Sequence, residues 1–259
     1  MSSQQPQDSQ QYLDKKQFFD RLLTIFGRKP VLEALQDSSL NFYKLHMAES
    51  NKESGIIQQI CDLARQRNIE IEWHDRKGLS RISRNSKQDQ GVAADIELKQ
   101  RQSLEGFLEA NQQQEFRLIA LDGITNPQNL GMIIRSVCAG YVDGLVLPKK
   151  GCAALSPLVI KASVGTLFKA RILYCDSLTE GLKQLQAASA TICTLSSHAS
   201  ESLFDFKSSG SSVYVLGNET EGVSPAVSAL ADKQLVIPMN NEVESLNVAI
   251  TAALIAFKN

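Results

Sequence analysis

Three polar stretches in the second half of the chain carry residue types that can do chemistry, and each follows an apolar run. The first is "DGITNPQNLGMIIRS", where Asn126, Pro127 and Asn129 precede an apolar helical stretch, starting around Leu130, that bears a single cation, Arg135. A helix N-terminus offers free N–H groups to an anion, and a guanidinium grips phosphate through a planar fork of donors. The second is "VYVLGNETEGVSP", where an apolar strand ends at Leu216 and runs into Gly217, Asn218, Glu219 and Glu221. A glycine there lets a ligand approach the backbone closely. The third is "LVIPMNNEVESLNVAI", where a strand leaves through Pro238 into an acidic loop, and Ser245 stands at the mouth of an apolar helix running from Leu246 to Phe257. Ser245 suits an N-cap. Asn247 would fall inside the first turn, where its side chain competes with the backbone. A cap therefore accounts for Ser245 and leaves Asn247 unexplained.

Purely structural readings stand beside these. Asn129 could be an N-cap with Arg135 solvated, and Glu219 and Glu221 could be solvated acids on a tight turn. The glycine spacing matches neither GxGxxG nor the phosphate-binding loop of nucleotide hydrolases, which argues against a dinucleotide or ATP site.

Positioning these residues requires strands that end together. From Arg117 onward, short apolar runs ("RLIALDGI", "GLVLP", "ARILYC", "TICTLS", "SVYVLGNE", "KQLVIPM") alternate with helical ones ("NLGMIIRSVCAG", "SPLVIKASVGTLF", "LTEGLKQLQAAS", "SPAVSALA"). Gly140 reads as a C-cap. The pattern predicts an α/β fold, a mostly parallel sheet covered on both faces, with ligands beyond the carboxyl ends of its strands. The first half reads as a smaller α/β unit. "FFDRLLTIFGRKPVLEALQDS" has helical spacing around a Gly27–Pro30 break, "FYKLHMAES" and "IEIEWHD" alternate as strands, and "GIIQQICDLARQRN" is a helix. "KQRQSLEGFLEANQQQEF" reads as a linker that could hold one short helix. The expected division is a disordered Gln-rich tail over 1–18, a first domain over 19–98, a linker over 99–116 and a second domain over 117–259.

The chain has 259 residues, is 43% hydrophobic and carries a net charge of −1. It can bury a sizeable core, and nothing global advertises nucleic acid, though a local basic face can still exist. One such face is offered by "HDRKGLSRISRNSKQDQGV", a polar segment holding Arg76, Lys77, Arg81, Arg84 and Lys87, suited to phosphate contact or to plain solvation. Trp73 beside it lies in an alternating strand and is expected in the core. Five scattered cysteines, no CxxC spacing and three isolated histidines argue against a metal site or a disulfide framework and fit a reducing, cytoplasmic setting. No apolar run reaches the roughly 20 residues of a membrane helix, and "MSSQQPQDSQQYLDKK" lacks an apolar signal core.

Together, "NPQNLGMIIRS", "VLGNETEGVS" and "IPMNNEVESLNVAITAAL" resemble the three motifs of the SpoU (TrmH-type) RNA ribose 2'-O-methyltransferases of the SPOUT superfamily. The resemblance covers roughly Leu118 to Asn259, and the third motif is its most specific part. "IFGRKPVLEAL" resembles, more weakly, the opening of the L30e-like RNA substrate-binding domain that precedes the catalytic domain in several members. The nearest branch is the one that modifies a guanosine of 23S ribosomal RNA.

The resemblance implies an α/β trefoil knot, S-adenosylmethionine as cofactor, RNA as substrate and a homodimer formed through the catalytic domain, with no membrane partner. Ribosomal RNA is the expected substrate; transfer RNA, or a non-catalytic RNA-binding role, are the alternatives. Arg135, Asn129, Glu219, Ser245 and Asn247 match the family's catalytic positions. Glu219 is expected to fix Arg135 or to face the sulfonium. Gly217, Ile237 and Leu246, joined by Leu195, Leu216 and Met239, match the cofactor contacts, and Arg28 joins the basic segment on the RNA side. Met132 and Ser136 depart from the usual first motif without removing a catalytic position.

Overall fold

The computed structural model describes residues 18–19, 21–52 and 54–258, which separate into two compact units on either side of the Lys99–Gln100 junction. The expected tail over 1–18 lies outside the described residues except for Phe18.

The first unit holds a four-stranded sheet of β1 (Leu22–Phe26), β2 (Asn41–Ala48), β3 (Ile71–His74) and β4 (Val92–Glu97) in the order β1-β4-β2-β3. β4 runs antiparallel to both β1 and β2, while β3 runs parallel to β2. Helices α1 (Arg28–Gln36), α2 (Ile56–Gln66) and α3 (Arg76–Ser83) complete it. Three sequence expectations change here. "LLTIF" is a strand, not the front half of a helix: Leu23 and Ile25 alternate into the core while β4 supplies the hydrogen-bond partners. The basic segment, read as a polar stretch with no element assigned, is helical over Arg76–Ser83. Asp75 caps α3 by accepting from the Gly78 amide at 2.6 Å, and Leu79 and Ser83 bury its inner face. Trp73 is 40% exposed, because β3 is an edge strand and that residue points outward.

The second unit is built on an eight-stranded sheet in the order β10-β12-β9-β11-β6-β7-β8-β5. Its strands are β5 (Arg101–Ser103), β6 (Arg117–Leu121), β7 (Gly144–Pro148), β8 (Ile172–Cys175), β9 (Thr191–Leu195), β10 (Glu201–Ser202), β11 (Ser212–Leu216) and β12 (Lys233–Val236). All the neighbouring pairs run parallel. The strands are nearly continuous apolar runs because helices cover both faces.

On one face pack α4 (Leu104–Ala110), α7 (Leu178–Ala187) and α8 (Pro225–Ser228), burying Phe107, Leu182, Leu185 and Val227 against Leu118, Ala120 and Val213. On the other lie α5 (Pro127–Ala139), α6 (Pro157–Ala162) and α9 (Val248–Ala256). The 99–116 stretch, expected as a linker, thus supplies the edge strand β5 and the helix α4, with Leu104 and Phe107 in the core. The helix expected over "SPLVIKASVGTLF" stops at Ala162, since Val164 and Gly165 both take positive φ, and a single 3-10 turn follows over Thr166–Phe168.

Two glycines permit the close packing around α5. A Cβ on Gly131 would come within 2.8 Å of the Val159 carbonyl, and one on Gly140 would overlap the last turn of α9 at Ala256. Gly140 does end α5 as expected, but in extended backbone. Close approach, not left-handed geometry, is what selects glycine there.

Candidate active site

After β6 the chain moves to β7 and β8 on one side of the sheet, then crosses to β9 on the other. This reversal is where an open parallel sheet leaves a crevice beyond its strand ends. The loops after β6, β9, β11 and β12 all open there.

α5 begins three residues earlier than the sequence suggests. Asn126 is its N-cap, accepting from the Gln128 amide at 2.9 Å, and Pro127 takes the first helical position, where no N–H is needed. Asn129 is therefore not a cap. It sits in the first turn, only 6% exposed, and its side chain reaches outside its own helix. Its Nδ2 donates to Glu219 Oε1, and its Oδ1 accepts from Asn247 Nδ2 at 3.2 Å. One buried amide thus ties the three motif segments together.

The third segment also shifts. α9 starts at Val248, and its N-cap is Asn247, whose Oδ1 accepts from the Ala249 amide at 2.9 Å. Ser245 lies two residues before the cap and is exposed. Asn247 therefore has two jobs: its oxygen caps the helix while its nitrogen holds Asn129. Just upstream, Asn241 and Glu242 both adopt left-handed backbone, at φ 56° and 58°. Such strain in consecutive non-glycine residues clusters at ligand loops.

Asn218 organises the second segment. Its backbone exchanges hydrogen bonds with Gly222 at 2.9 and 2.8 Å, and its Nδ2 donates to the Gly123 carbonyl at 2.9 Å. Asp122 Oδ2 accepts from the Ser224 amide at 2.7 Å, closing the base of the same loop. A Cβ on Gly217 would overlap the Gly222 peptide, so the glycine is required by the loop's own closure. The sequence pattern assigns Asn218 and Asp122 no role. An Asx side chain directly after a strand end is the available signal.

Beside these loops lies a cavity of about 470 Å³, lined by Leu195, Ile237, Met239, Ser245 and Leu246, with Glu244 and Thr251 at its polar side. That volume suits a small-molecule cofactor. Leu216 and Gly217 do not line it: Leu216 is 2% exposed within β11. Arg135 is exposed on α5, six residues beyond Asn129, and among the described residues it forms no ion pair. Glu219, expected to fix it, is engaged by Asn129 instead. At about 100° per residue, the helix turns Arg135 away from the Asn129 face.

In the first unit a second cavity, of about 530 Å³, gathers Arg28, Arg76 and Lys87 with Asn51, Ser86 and Gln90. Arg28 is held by the Gln90 carbonyl at 3.0 Å and by Asn51 Oδ1 at 3.2 Å, which leaves Arg76 and Lys87 as its exposed cations. Lys77, Arg81 and Arg84 lie outside this cavity on the exposed side of α3 and at its end.

Comparison with known proteins agrees with this layout. Residues 116–257 match the SpoU rRNA Methylase family, and residues 24–102 match the RNA 2'-O ribose methyltransferase substrate binding family. YacO of Bacillus subtilis, named for the TrmH family of tRNA/rRNA methyltransferases, is 30% identical over 90% of this chain and 93% of its own. The 23S rRNA (guanosine-2'-O-)-methyltransferase RlmB of Xanthomonas campestris is 28% identical over 90% of this chain and 94% of its own. Among solved structures, the SpoU methyltransferase AviRb of Streptomyces viridochromogenes, in complex with AdoMet, shares the fold with a TM-score of 0.62 at 23% identity, over 94% of this chain and 91% of that one. The AdoMet-bound rRNA methyltransferase of Sinorhizobium meliloti does so with a TM-score of 0.62 at 21% identity, over 96% and 89%. With its parallel sheet, its three motif segments joined at Asn129 and a substrate-binding unit in front, the chain belongs to the SpoU rRNA methylase family of RNA methyltransferases.

Proposed function

We propose that the chain methylates a ribose 2'-hydroxyl in RNA, with S-adenosylmethionine as donor and ribosomal RNA as substrate. The observation that carries this reading is the junction at Asn129, where all three motif segments meet beside the cavity lined by Leu195, Ile237, Met239 and Leu246. The residues fit the cofactor. The apolar lining suits an adenine ring, while Glu244, Ser245 and Thr251 offer polar and anionic contacts to a cationic, hydroxyl-bearing ligand.

Bound there, the cofactor supplies an electrophilic methyl group on a sulfonium. A ribose oxygen aligned by these residues would take that methyl group as the carbon–sulfur bond breaks and the hydroxyl proton is released. The chain's residues supply alignment, which can be worth several kcal/mol in such a displacement, roughly 7–11 at the limit. Asn129, Glu219 and Asn247 hold the three loops in register. Arg135 acts through its planar guanidinium fork as a clamp on the neighbouring phosphate that also stabilises the developing alkoxide. It does not act as a base.

The exposed position of Arg135 supports a homodimer through the catalytic unit, in which a second copy completes the site. Apolar side chains left exposed on α9 and just after α5, Ile250 at 52%, Phe257 at 51% and Tyr141 at 69%, support the same assembly. The trefoil knot belongs to this reading as well. Among the described residues no helix is long and apolar enough to cross a membrane.

The test is methyl transfer from tritiated S-adenosylmethionine to unmodified ribosomal or transfer RNA in separate reactions, with Arg135→Ala as control. Label recovered from ribosomal RNA as an alkali-resistant 2'-O-methyl dinucleotide, and lost with the variant, is the expected result. Label in transfer RNA alone overturns the choice of substrate. RNA binding without label in either overturns catalysis.

A further inference from the structure

Two of the three histidines that look isolated in sequence come together in the fold. Parallel pairing of β2 with β3 sets His46 opposite Glu72 and Ala48 opposite His74, so both imidazoles fall on one face of the first unit's sheet. A hydrogen-bonded line then crosses all four strands. Thr24 on β1 donates to Asp95 Oδ1 on β4 at 2.6 Å, Asp95 Oδ2 lies 3.1 Å from His46 Nε2, and His46 Nδ1 lies 3.0 Å from His74 Nε2. Glu72 Oε1 is 4.0 Å from the same His74 nitrogen, while its Oε2 holds Lys44 at 2.9 Å. The side chains of this line (Thr24, Asp95, His46, His74, Glu72 and Lys44) do not line the basic cavity, and the methyl-transfer reading uses none of them.

We propose that His46 Nδ1, His74 Nε2 and Glu72 Oε1 form a binding site for one divalent transition-metal ion of the zinc class. The three ligand atoms already lie within 4.8 Å of one another. Zinc bonds of about 2.0–2.2 Å place tetrahedral ligands some 3.3–3.6 Å apart. The half-exposed Glu72 side chain therefore has about 1 Å to travel, and the two imidazole nitrogens, 3.0 Å apart, must open by a few tenths of an ångström.

Asp95 supplies what such sites need behind the first ligand. By accepting from His46 Nε2–H it leaves the lone pair on Nδ1, aimed at the ion, in the carboxylate–histidine–metal arrangement. His74 needs only to carry its proton on Nδ1. Lys44 need not leave, because it binds Glu72 through the other oxygen and is shared with Glu70 at 3.2 Å. Two imidazoles and one carboxylate favour zinc, copper or nickel over magnesium or calcium, and the fourth position is left to water. Bound there, the ion would clip β2 to β3.

The experiment is titration of the full-length protein with zinc chloride, followed by calorimetry and thermal melting, with cobalt chloride as the spectroscopic probe. One equivalent of zinc is expected to bind and to raise Tm. Asp95→Asn should weaken binding by roughly 10-fold, and His74→Ala, which removes a ligand outright, should weaken it further. Glu72→Gln, at a half-exposed position, keeps the fold and should weaken zinc binding clearly, so the test does not hang on the histidine variant. The cobalt adduct should show visible bands without thiolate charge transfer. Undiminished zinc affinity in His74→Ala and Glu72→Gln, a thiolate band pointing to the cysteines, or no zinc binding to the wild-type chain would each overturn the site.

Discussion

Asn247 donates through Nδ2 to Asn129 Oδ1 at 3.2 Å, joining residues 118 positions apart, while its own Oδ1 caps α9. The two functions can be separated. Asn247→Ala removes both, and losing the cap alone costs about 1 kcal/mol. Asn247→Ser keeps a capping oxygen but cannot reach across to Asn129. The expected result is a lowered Tm for the alanine variant, largely restored in the serine variant, with methyl transfer down at least about 10-fold in both. Melting curves paired with single-turnover rates check this. Full turnover in Asn247→Ser would mean that the residue is only a cap.

Buried thiols set an alkaline limit on stability. Burial, reinforced by Asp232 and Glu201 nearby, pushes the Cys193 thiol from 9.0 up to about 12, and burial with Asp176 and Cys152 pushes Cys175 to about 11. Below pH 9 both thiols are protonated in the folded and unfolded chain alike, and no penalty arises. Above pH 9 the unfolded chain ionises them while the folded chain does not, so stability falls as pH climbs from 9 toward 11 and 12. Urea midpoints measured at pH 8, 9 and 10 should decline, and Cys193→Ala should flatten the decline. At pH 8 iodoacetamide should label the half-buried Cys138 and Cys152 well ahead of Cys193 and Cys175. Equal labelling of all would contradict the buried placement.

From Arg117 onward most strands and helices of the second unit were legible because each is a compact run bounded by a turn residue, and parallel strands buried on both faces declare themselves by unbroken hydrophobicity; the short polar edge strands β5 and β10 lack that signal and were not. "LLTIF" was not legible. Flanked by Phe18, Phe19 and Arg28, its apolar residues fit both a helical and an alternating period, and only pairing with β4 decides between them. The site shows the same limit. Asn129, Glu219 and Asn247 were recognisable as residues to single out, but their partners were not, because the amide at Asn129 reaches across 90 and 118 positions. The cap was misassigned by two residues for a local reason: Ser245 and Asn247 are both good caps, and tertiary contact with Asn129 selects the second. The pairing of His46 with His74 depends wholly on the β2–β3 register, which no local pattern reveals.

The basic cavity of the first unit should read RNA through its phosphates. Arg76 and Lys87 are exposed there, whereas Arg28 spends its donors on Gln90 and Asn51. Arg76→Ala and Lys87→Ala should each weaken RNA binding and lower the slope of log affinity against log salt by about 1. Arg28→Ala should instead loosen the turn at Gln90 and Gly91, which Arg28 and Asn51 hold between them, and lower Tm. Filter binding at several salt concentrations, set beside melting curves, separates these. An unchanged salt slope in the Arg76 and Lys87 variants would move the RNA contact elsewhere, with Lys77, Arg81 and Arg84 on α3 and at its end the next candidates.

Arg135 distinguishes a clamp from a base. It is exposed on α5 and does not line the cavity of Ile237, Met239 and Leu246, so with the cofactor placed there as proposed Arg135→Lys should leave S-adenosylmethionine binding unchanged. A lysine keeps the charge but loses the planar fork that grips two phosphate oxygens at once. If positioning is the role, kcat for methyl transfer falls by roughly 100-fold. The pH–rate profiles of wild type and variant should then have the same shape, because neither cation changes protonation between about pH 6 and 9. If Arg135 were the base, replacing it with lysine would bring a new ionisation into the alkaline limb, near lysine's ordinary pKa of about 10.4. Calorimetry with the cofactor and single-turnover rates from about pH 6 to 11 check both halves. A kcat loss accompanied by an equal loss of cofactor affinity would show instead that Arg135 holds the loops around the cavity and does not touch the substrate.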